Sequence, residues 1–460
     1  LAAFWLGAAC PALALDGDTP RPGIPRATAS DLVDYFEYTR THTVGNVAFS
    51  LTNWGLFGNG GRVSCCDYCS RQPARSWEFP AGTGLDYLGT GGFWIGAIRG
   101  FDTLVSLGTD GIDAPTEFFP LPEPNGHIEE RTIRPVLDAG TSTRCLDVHF
   151  SPDAVSEQDL ITRYYDTVTN ATYQYPDRYD GRVHKPIGLE ITQKSYAWSY
   201  NYSQDFVIMD LGLRNLSDDV LHKVYLGIFM DHDVGHFRLT WNPRWDDMSG
   251  FIGAVPSPLV PGALDTLNMA WSADNDGDPG LGRFEEISVT GAVAVRVLKS
   301  PTPDLKFSFN WWATNTAAAS RDWGPNKKNR LITYRKGSLG TPLGDINRYL
   351  MLSNGELDYD QIESAVDHQA EGWLPPPKDA QLAGDLADGY DTRYLYSFGP
   401  FEIPVDSTLD LAVAFVSGAD LHAEARNFGR YFDPSNPDLF RQHLDFSDLI
   451  RNAQWAGWVY

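Results

Sequence analysis

The sequence predicts an all-β protein, a large antiparallel β-sandwich with a short helical C-terminal segment, and three observations lead there. Its 460 residues include 43 Gly and 30 Pro but only 5 Met, the punctuation of many short segments joined by turns. Apolar and polar residues alternate over short runs along most of the chain. Aromatic residues make up 13% and hydrophobic residues 42%, which fills a large core and excludes a disordered chain. Two β subdomains packed together satisfy the same pattern.

Leu1 to Leu15 form an apolar run in which Ala12-Leu13-Ala14 precedes Asp16, so residues 1–14 read as a signal peptide lacking its beginning. Gly7 stands where a lipobox around Cys10 wants Leu, which favours simple export over lipidation. Residues 15–30 are expected to be a flexible leader, and residues 31–160 an N-terminal β region containing a cysteine cluster. The segment from Asp31 fits a short helix or an edge strand. From Thr43 the residues Val44, Val47, Phe49 and Leu51 alternate up to a turn at Asn53-Trp54-Gly55. Gly91 to Gly100 reads as a buried strand bounded by glycines and lacks the Gly-Lys-Ser/Thr of a phosphate loop.

The main sandwich is expected over 161–419. Within it, His184 to Val234 reads as an antiparallel meander of three strands, and further strands are expected from Val289, Lys306 and Thr408. Gln361 to Gly384, with Pro375-Pro376-Pro377, reads as a loop. In the C-terminal segment, 420–460, Leu421, Ala425, Phe428 and Tyr431, then Phe446, Leu449, Ile450 and Ala453, recur at helical spacing. They predict two helices broken at Asn436-Pro437. After the first 15 residues no apolar run reaches the ~18 residues of a membrane span.

Cleavage of the signal removes Cys10 and leaves Cys65, Cys66, Cys69 and Cys145, an even number in an exported chain, so disulfides are expected. A bond between Cys65 and Cys66 would close a strained vicinal ring, which directs Cys145 into the Cys65–Cys69 cluster. The alternatives are free or redox thiols, and zinc on Cys66-x-x-Cys69, for which Cys145 supplies no second knuckle.

The chain carries 36 Lys+Arg against 60 Asp+Glu, a formal charge of −24, which excludes a phosphate-backbone binder and disfavours anionic membranes. Its ten His occur singly; there is no His-Glu-x-x-His and no Gly-x-Ser-x-Gly. The most specific signal is Asp274-Asn275-Asp276-Gly277-Asp278, where alternating carboxylates around a glycine turn can converge on a hard cation such as Ca²⁺. It resembles the first half of an EF-hand loop, with Glu285 at the twelfth position, but Pro279 stands where that loop needs Gly. A second cluster, Asp231-His232-Asp233, leaves an apolar strand, and Asp246-Asp247 follows. The preferred reading is a structural Ca²⁺ drawn from Asp274, Asp276, Asp278, Asp231 and Asp233, with the Asp246-Asp247 pair close by.

The competing enzymatic reading makes Asp231 and Asp233 the acid/base pair of a carbohydrate-active enzyme, a glycoside hydrolase or lyase, with His236 nearby. Among the aromatics, Trp311 and Trp312 are candidates for stacking on sugar rings, although adjacent strand residues face opposite ways and one of the two belongs in the core.

Taken in order, Thr52-Asn-Trp-Gly-Leu-Phe-Gly58, Gly92-Phe-Trp-Ile-Gly-Ala97, Pro186-Ile-Gly-Leu-Glu-Ile-Thr-Gln193, Phe229-Met-Asp-His-Asp-Val-Gly235, Ala273-Asp-Asn-Asp-Gly-Asp278 and Tyr394-Leu-Tyr-Ser-Phe-Gly-Pro-Phe401 resemble a family of large, mostly uncharacterised exported bacterial β-rich proteins. Its members often continue into fibronectin-type modules and a sorting domain of the type IX secretion kind. The resemblance implies an extracellular or cell-surface protein with further sequence after Tyr460, and it carries over no catalytic residue. The expectation is therefore a calcium-stabilised structural or binding module whose partners include polysaccharide or other surface components.

Overall fold

The computed structural model describes residues 39–58, 76–111, 116–121, 126–134, 148–169, 176–177, 179–238, 246–313, 323–325, 327 and 342–460. The signal peptide, the leader, the segment from Asp31 to residue 38, and Cys10, Cys65, Cys66, Cys69 and Cys145 lie outside them.

The described residues form two large sheets, of 11 and 10 strands, packed face to face as a β-sandwich. In spatial order the first runs Gly235–His236, Leu85–Asp86, Trp77–Glu78, Ala48–Thr52, Leu56–Phe57, Thr90–Arg99, Leu221–Asp231, Thr392–Ile403 and Lys306–Ala313, with Thr39–Thr41 and Asp102–Leu107 alongside. The second runs Val148–Phe150, Glu129–Thr132, Gln158–Tyr165, Leu189–Ala197, Phe206–Asn215, Thr408–Gly418, Ala292–Lys299, Leu264–Asp274 and Asp247–Pro256, with Phe119–Pro120 alongside. All of these pairings are antiparallel except Val148–Phe150 on Glu129–Thr132. Strands from both sides of residue 160 pair with one another, as Thr90–Arg99 does with Leu221–Asp231, so the two β regions share one sandwich.

The three-stranded meander is corrected in one respect. Leu189–Ala197 and Phe206–Asn215 pair as expected, but Leu221–Asp231 crosses to the first sheet, between Thr90–Arg99 and Thr392–Ile403. Alternation tells which face of a strand is apolar, and both sheets of a sandwich offer the same inner face, so the pattern cannot choose between them. Between the sheets, Phe415 lies 4.6 Å from Phe49, 5.3 Å from Phe57 and 5.6 Å from Trp77, ring centre to ring centre. These aromatics tie both sheets into one core.

Among the described residues, five α-helices cover the outer faces: α1 (Gly344–Ser353), α2 (Ala380–Asp388), α3 (Asn427–Tyr431), α4 (Asp438–Arg441) and α5 (Ser447–Val459). The C-terminal segment is helical as expected, with three helices in place of two, and it packs on the second sheet through Phe428, Phe440, Leu449 and Ala453. α2 begins inside the stretch read as a loop, and α1 had no sequence signal. α1 seats Leu352 on the first sheet where Gly96 and Gly227 leave room; a Cβ on Gly96 would lie 2.7 Å from a Leu352 methyl carbon, and one on Gly227 closer still.

That contact corrects the expectation for the tryptophan pair. Trp311 faces the inner core at 1% exposure and donates its indole N–H to the Tyr359 carbonyl at 2.8 Å. Trp312 faces outward from the sheet but is 2% exposed, because α1 covers it beside Phe229 and Met351. Neither ring presents a face to a sugar.

Candidate metal centre

The paired strands Asp247–Pro256 and Leu264–Asp274 place Asp247 directly opposite Asp274. Like charges opposed across a ladder repel, and here both carboxylates are fully buried. After Asp274 the chain turns through Gly277, at φ +80°, and Asp278, at φ +53°. The Asp274 Oδ1 organises that turn, accepting the backbone N–H of Asp276 at 2.9 Å, of Asp278 at 3.2 Å, and of Gly277 between them. Its Oδ2 is buried and accepts no hydrogen bond among the described residues. One carboxylate oxygen each of Asp246, Asp274 and Asp278 lie within 4.8 Å of one another. The repeat of Asp at every second position thus returns Asp278 toward Asp274, and the hairpin supplies Asp246.

The surrounding chain fixes this arrangement. Asn275 donates its side-chain amide to Asp388, at the end of α2, at 3.1 Å. The Val289 N–H closes on the Gly277 carbonyl at 2.9 Å. His422 donates Nε2–H to the Asp274 carbonyl at 3.0 Å while Nδ1 accepts from Asn427 at 2.9 Å; burial holds this imidazole down to about 4, so it is neutral at pH 7. The cluster therefore joins the end of one hairpin, the end of α2 and the segment leading into α3. Beside Asp276 a groove of about 540 Å³ opens between Arg426 and Arg430.

Electrostatically the cluster is unbalanced. Burial, reinforced by the charges of Asp278 and Asp276, pushes Asp246 up to about 8. Burial and the charges of Asp246, Asp278 and Asp276 raise Asp274 well above the carboxylate range, and burial with Asp233, Asp246 and Asp274 does the same to Asp247. Such a group is relieved either by holding protons or by taking a cation. Its donors are carboxylate oxygens, which fit a hard cation; Ca²⁺ takes six to eight oxygens, so carbonyls or water would complete the shell. The triad is made of carboxylates alone, and His422, which bonds the loop, is committed to a carbonyl, so the set does not suit zinc.

The sequence-predicted ligands fall into three groups. Asp274 and Asp278 converge, with Asp246 from the pair noted beside them. Asp276 belongs to the same turn but uses its Oδ1 on the Asp278 N–H at 3.1 Å, and it stands outside the triad. Asp231 and Asp233 are corrected. Asp231 is buried against Arg393, at 2.9 Å, and Arg393 also reaches Asp391 at 3.1 Å. Burial pushes Asp231 up to about 7 against the pull of Arg393. Held in this way by a buried guanidinium, Asp231 is an ion-pair partner within the fold and stands outside the triad. Asp233 adds its charge to Asp247 but stands outside the triad. His232 points inward and donates Nδ1–H to the Tyr87 carbonyl at 2.7 Å. Glu285, the twelfth position of the EF-hand pattern, is also outside the triad, and no α-helix follows it directly.

Sequence reasoning missed Asp388, which braces the loop from 113 residues away through Asn275. Compared with known proteins, the chain matches no family model and no curated protein.

Proposed function

We propose that the chain is an exported, extracellular or cell-surface binding module without catalytic activity, stabilised by one Ca²⁺ on Asp246, Asp274 and Asp278. Two observations together carry the calcium: Asp246, Asp274 and Asp278 each bring a carboxylate oxygen within 4.8 Å of the others, and the buried Asp274 Oδ2 accepts no hydrogen bond among the described residues. A buried acceptor left without a donor is costly, and a cation supplies what the protein does not. Export rests on the apolar run with Ala12-Leu13-Ala14, and disulfides among Cys65, Cys66, Cys69 and Cys145 belong to the same proposal. The sandwich frame supports a module whose loops and outer faces, not its core, meet a partner.

Titration calorimetry tests it. One Ca²⁺ per chain is expected, with uptake lost in Asp278→Asn. Because the folded site holds Asp246 up to about 8, protons must leave as the ion enters. Affinity should therefore rise from pH 5 to pH 8. Absence of uptake at pH 8, or an affinity that falls across that range, would contradict the reading.

A further inference from the structure

The aromatic residues that do reach the surface are others than the tryptophan pair. Tyr200 and Tyr202, in the turn between Leu189–Ala197 and Phe206–Asn215, stack at 5.6 Å with their planes 8° apart. Tyr202 continues onto Trp455 of α5 at 5.3 Å, and Trp455 meets Trp458 at 4.9 Å. Tyr202 is 48% exposed and Trp458 42%. The four rings form a stepped platform, nearly parallel at the tyrosine pair and edge to face at the tryptophan pair, whose planes are 79° apart, and exposed aromatic runs mark interaction surfaces.

Two residues beyond Trp458, Tyr460 connects the end of this platform to a groove of about 240 Å³ on the outer face of the second sheet, whose lining includes Asp210. Tyr460, which follows α5, hydrogen-bonds Asp210, and Asp210 also accepts the Tyr196 hydroxyl at 3.1 Å. Beyond this aromatic wall the floor carries Asp210, Asp410, Lys194 and Lys299, with hydroxyls from Thr192 and Thr408. Two carboxylates face two ammonium groups, so the floor is balanced in charge. A polyanion would also be repelled by the chain's net charge of −24.

We infer that this face binds a neutral polysaccharide chain, with sugar rings packed against the exposed Tyr200, Tyr202 and Trp458 and their hydroxyls bonded to the floor beside Asp210 and Asp410. Sugar rings present apolar C–H faces edged by hydroxyls, the two features that the platform and the floor offer side by side. The inference rests on the reading of the chain as a binding module and names its partner.

Native electrophoresis of the full chain in gels containing soluble glucomannan, galactomannan or laminarin, with alginate as the anionic control, tests it. Retardation is expected in at least one neutral gel and not in alginate, with EDTA making no difference. Trp458→Ala should weaken it roughly five- to tenfold, and so should Asp410→Asn, which changes an exposed side chain and leaves the packing intact. No retardation in any neutral gel, retardation in alginate alone, or retardation unchanged by both substitutions would overturn the inference. A dimer in sedimentation that Trp458→Ala dissociates would do the same, giving the surface to a second copy. A chain that takes up one Ca²⁺ but runs unretarded loses the polysaccharide and keeps the calcium; one that is retarded but takes up no Ca²⁺ does the reverse.

Discussion

Asp274→Ala is expected to remove roughly 5 kcal/mol from the stability of the calcium-loaded protein, read by urea unfolding with and without Ca²⁺. Two losses combine. The Oδ1 that gathers the N–H groups of Asp276, Gly277 and Asp278 disappears, worth about 2–3 kcal/mol for a charged, buried acceptor. The ion is lost as well, worth roughly 2.7 kcal/mol when Ca²⁺ stands at about 100 times its Kd. In EDTA the gap should narrow, because the variant also lacks a carboxylate raised by burial and by Asp246, Asp278 and Asp276. Glu285→Gln, outside the triad, should leave the calcium response unchanged. An Asp274→Ala protein as stable as the parent in Ca²⁺ would remove Asp274 from the site.

Arg393→Ala should destabilise the protein by about 3–5 kcal/mol, because it leaves Asp231 and Asp391 at the end of a buried strand without their cation. Combining it with Asp231→Asn should recover part of that loss, since the amide needs no counter-charge. The sign follows from burial: Asp231 already stands at about 7 with Arg393 in place, so removing the guanidinium raises it further and the variant should weaken most toward alkaline pH. Thermal melts from pH 5 to pH 9 would read this. A variant with unchanged stability would show that Asp231 is not held by Arg393 and would reopen its use as an acid or base.

Much of the sandwich was legible in residues alone. The strands Thr90–Arg99, Phe206–Asn215, Lys306–Ala313 and Thr408–Gly418 follow from apolar runs bounded by glycine or polar turns, because a half-buried strand has a period of two. Partnership was not legible: Leu221–Asp231 crosses between sheets on a turn whose residues would serve a hairpin equally well. The Asp274–Asp278 loop announced itself through alternating carboxylates. Asp231 and Asp233 misled for a physical reason. Acidic residues at a strand end look alike whether they face a cation, a buried arginine or water, and Arg393 is 162 residues away from Asp231 in the chain. Trp311 and Trp312 misled likewise, since the helix that buries the second of them carries no strong signal of its own.

The most direct test of a calcium-held module is a thermal melt of the full chain in excess EDTA and again after Ca²⁺ is restored. The account predicts a lower melting temperature in EDTA and full recovery with Ca²⁺, by the increment that about 2.7 kcal/mol gives at roughly 100 times Kd. A melt unmoved by either addition would contradict it, and Asp246, Asp274 and Asp278 would then be buried carboxylates that hold protons in place of an ion.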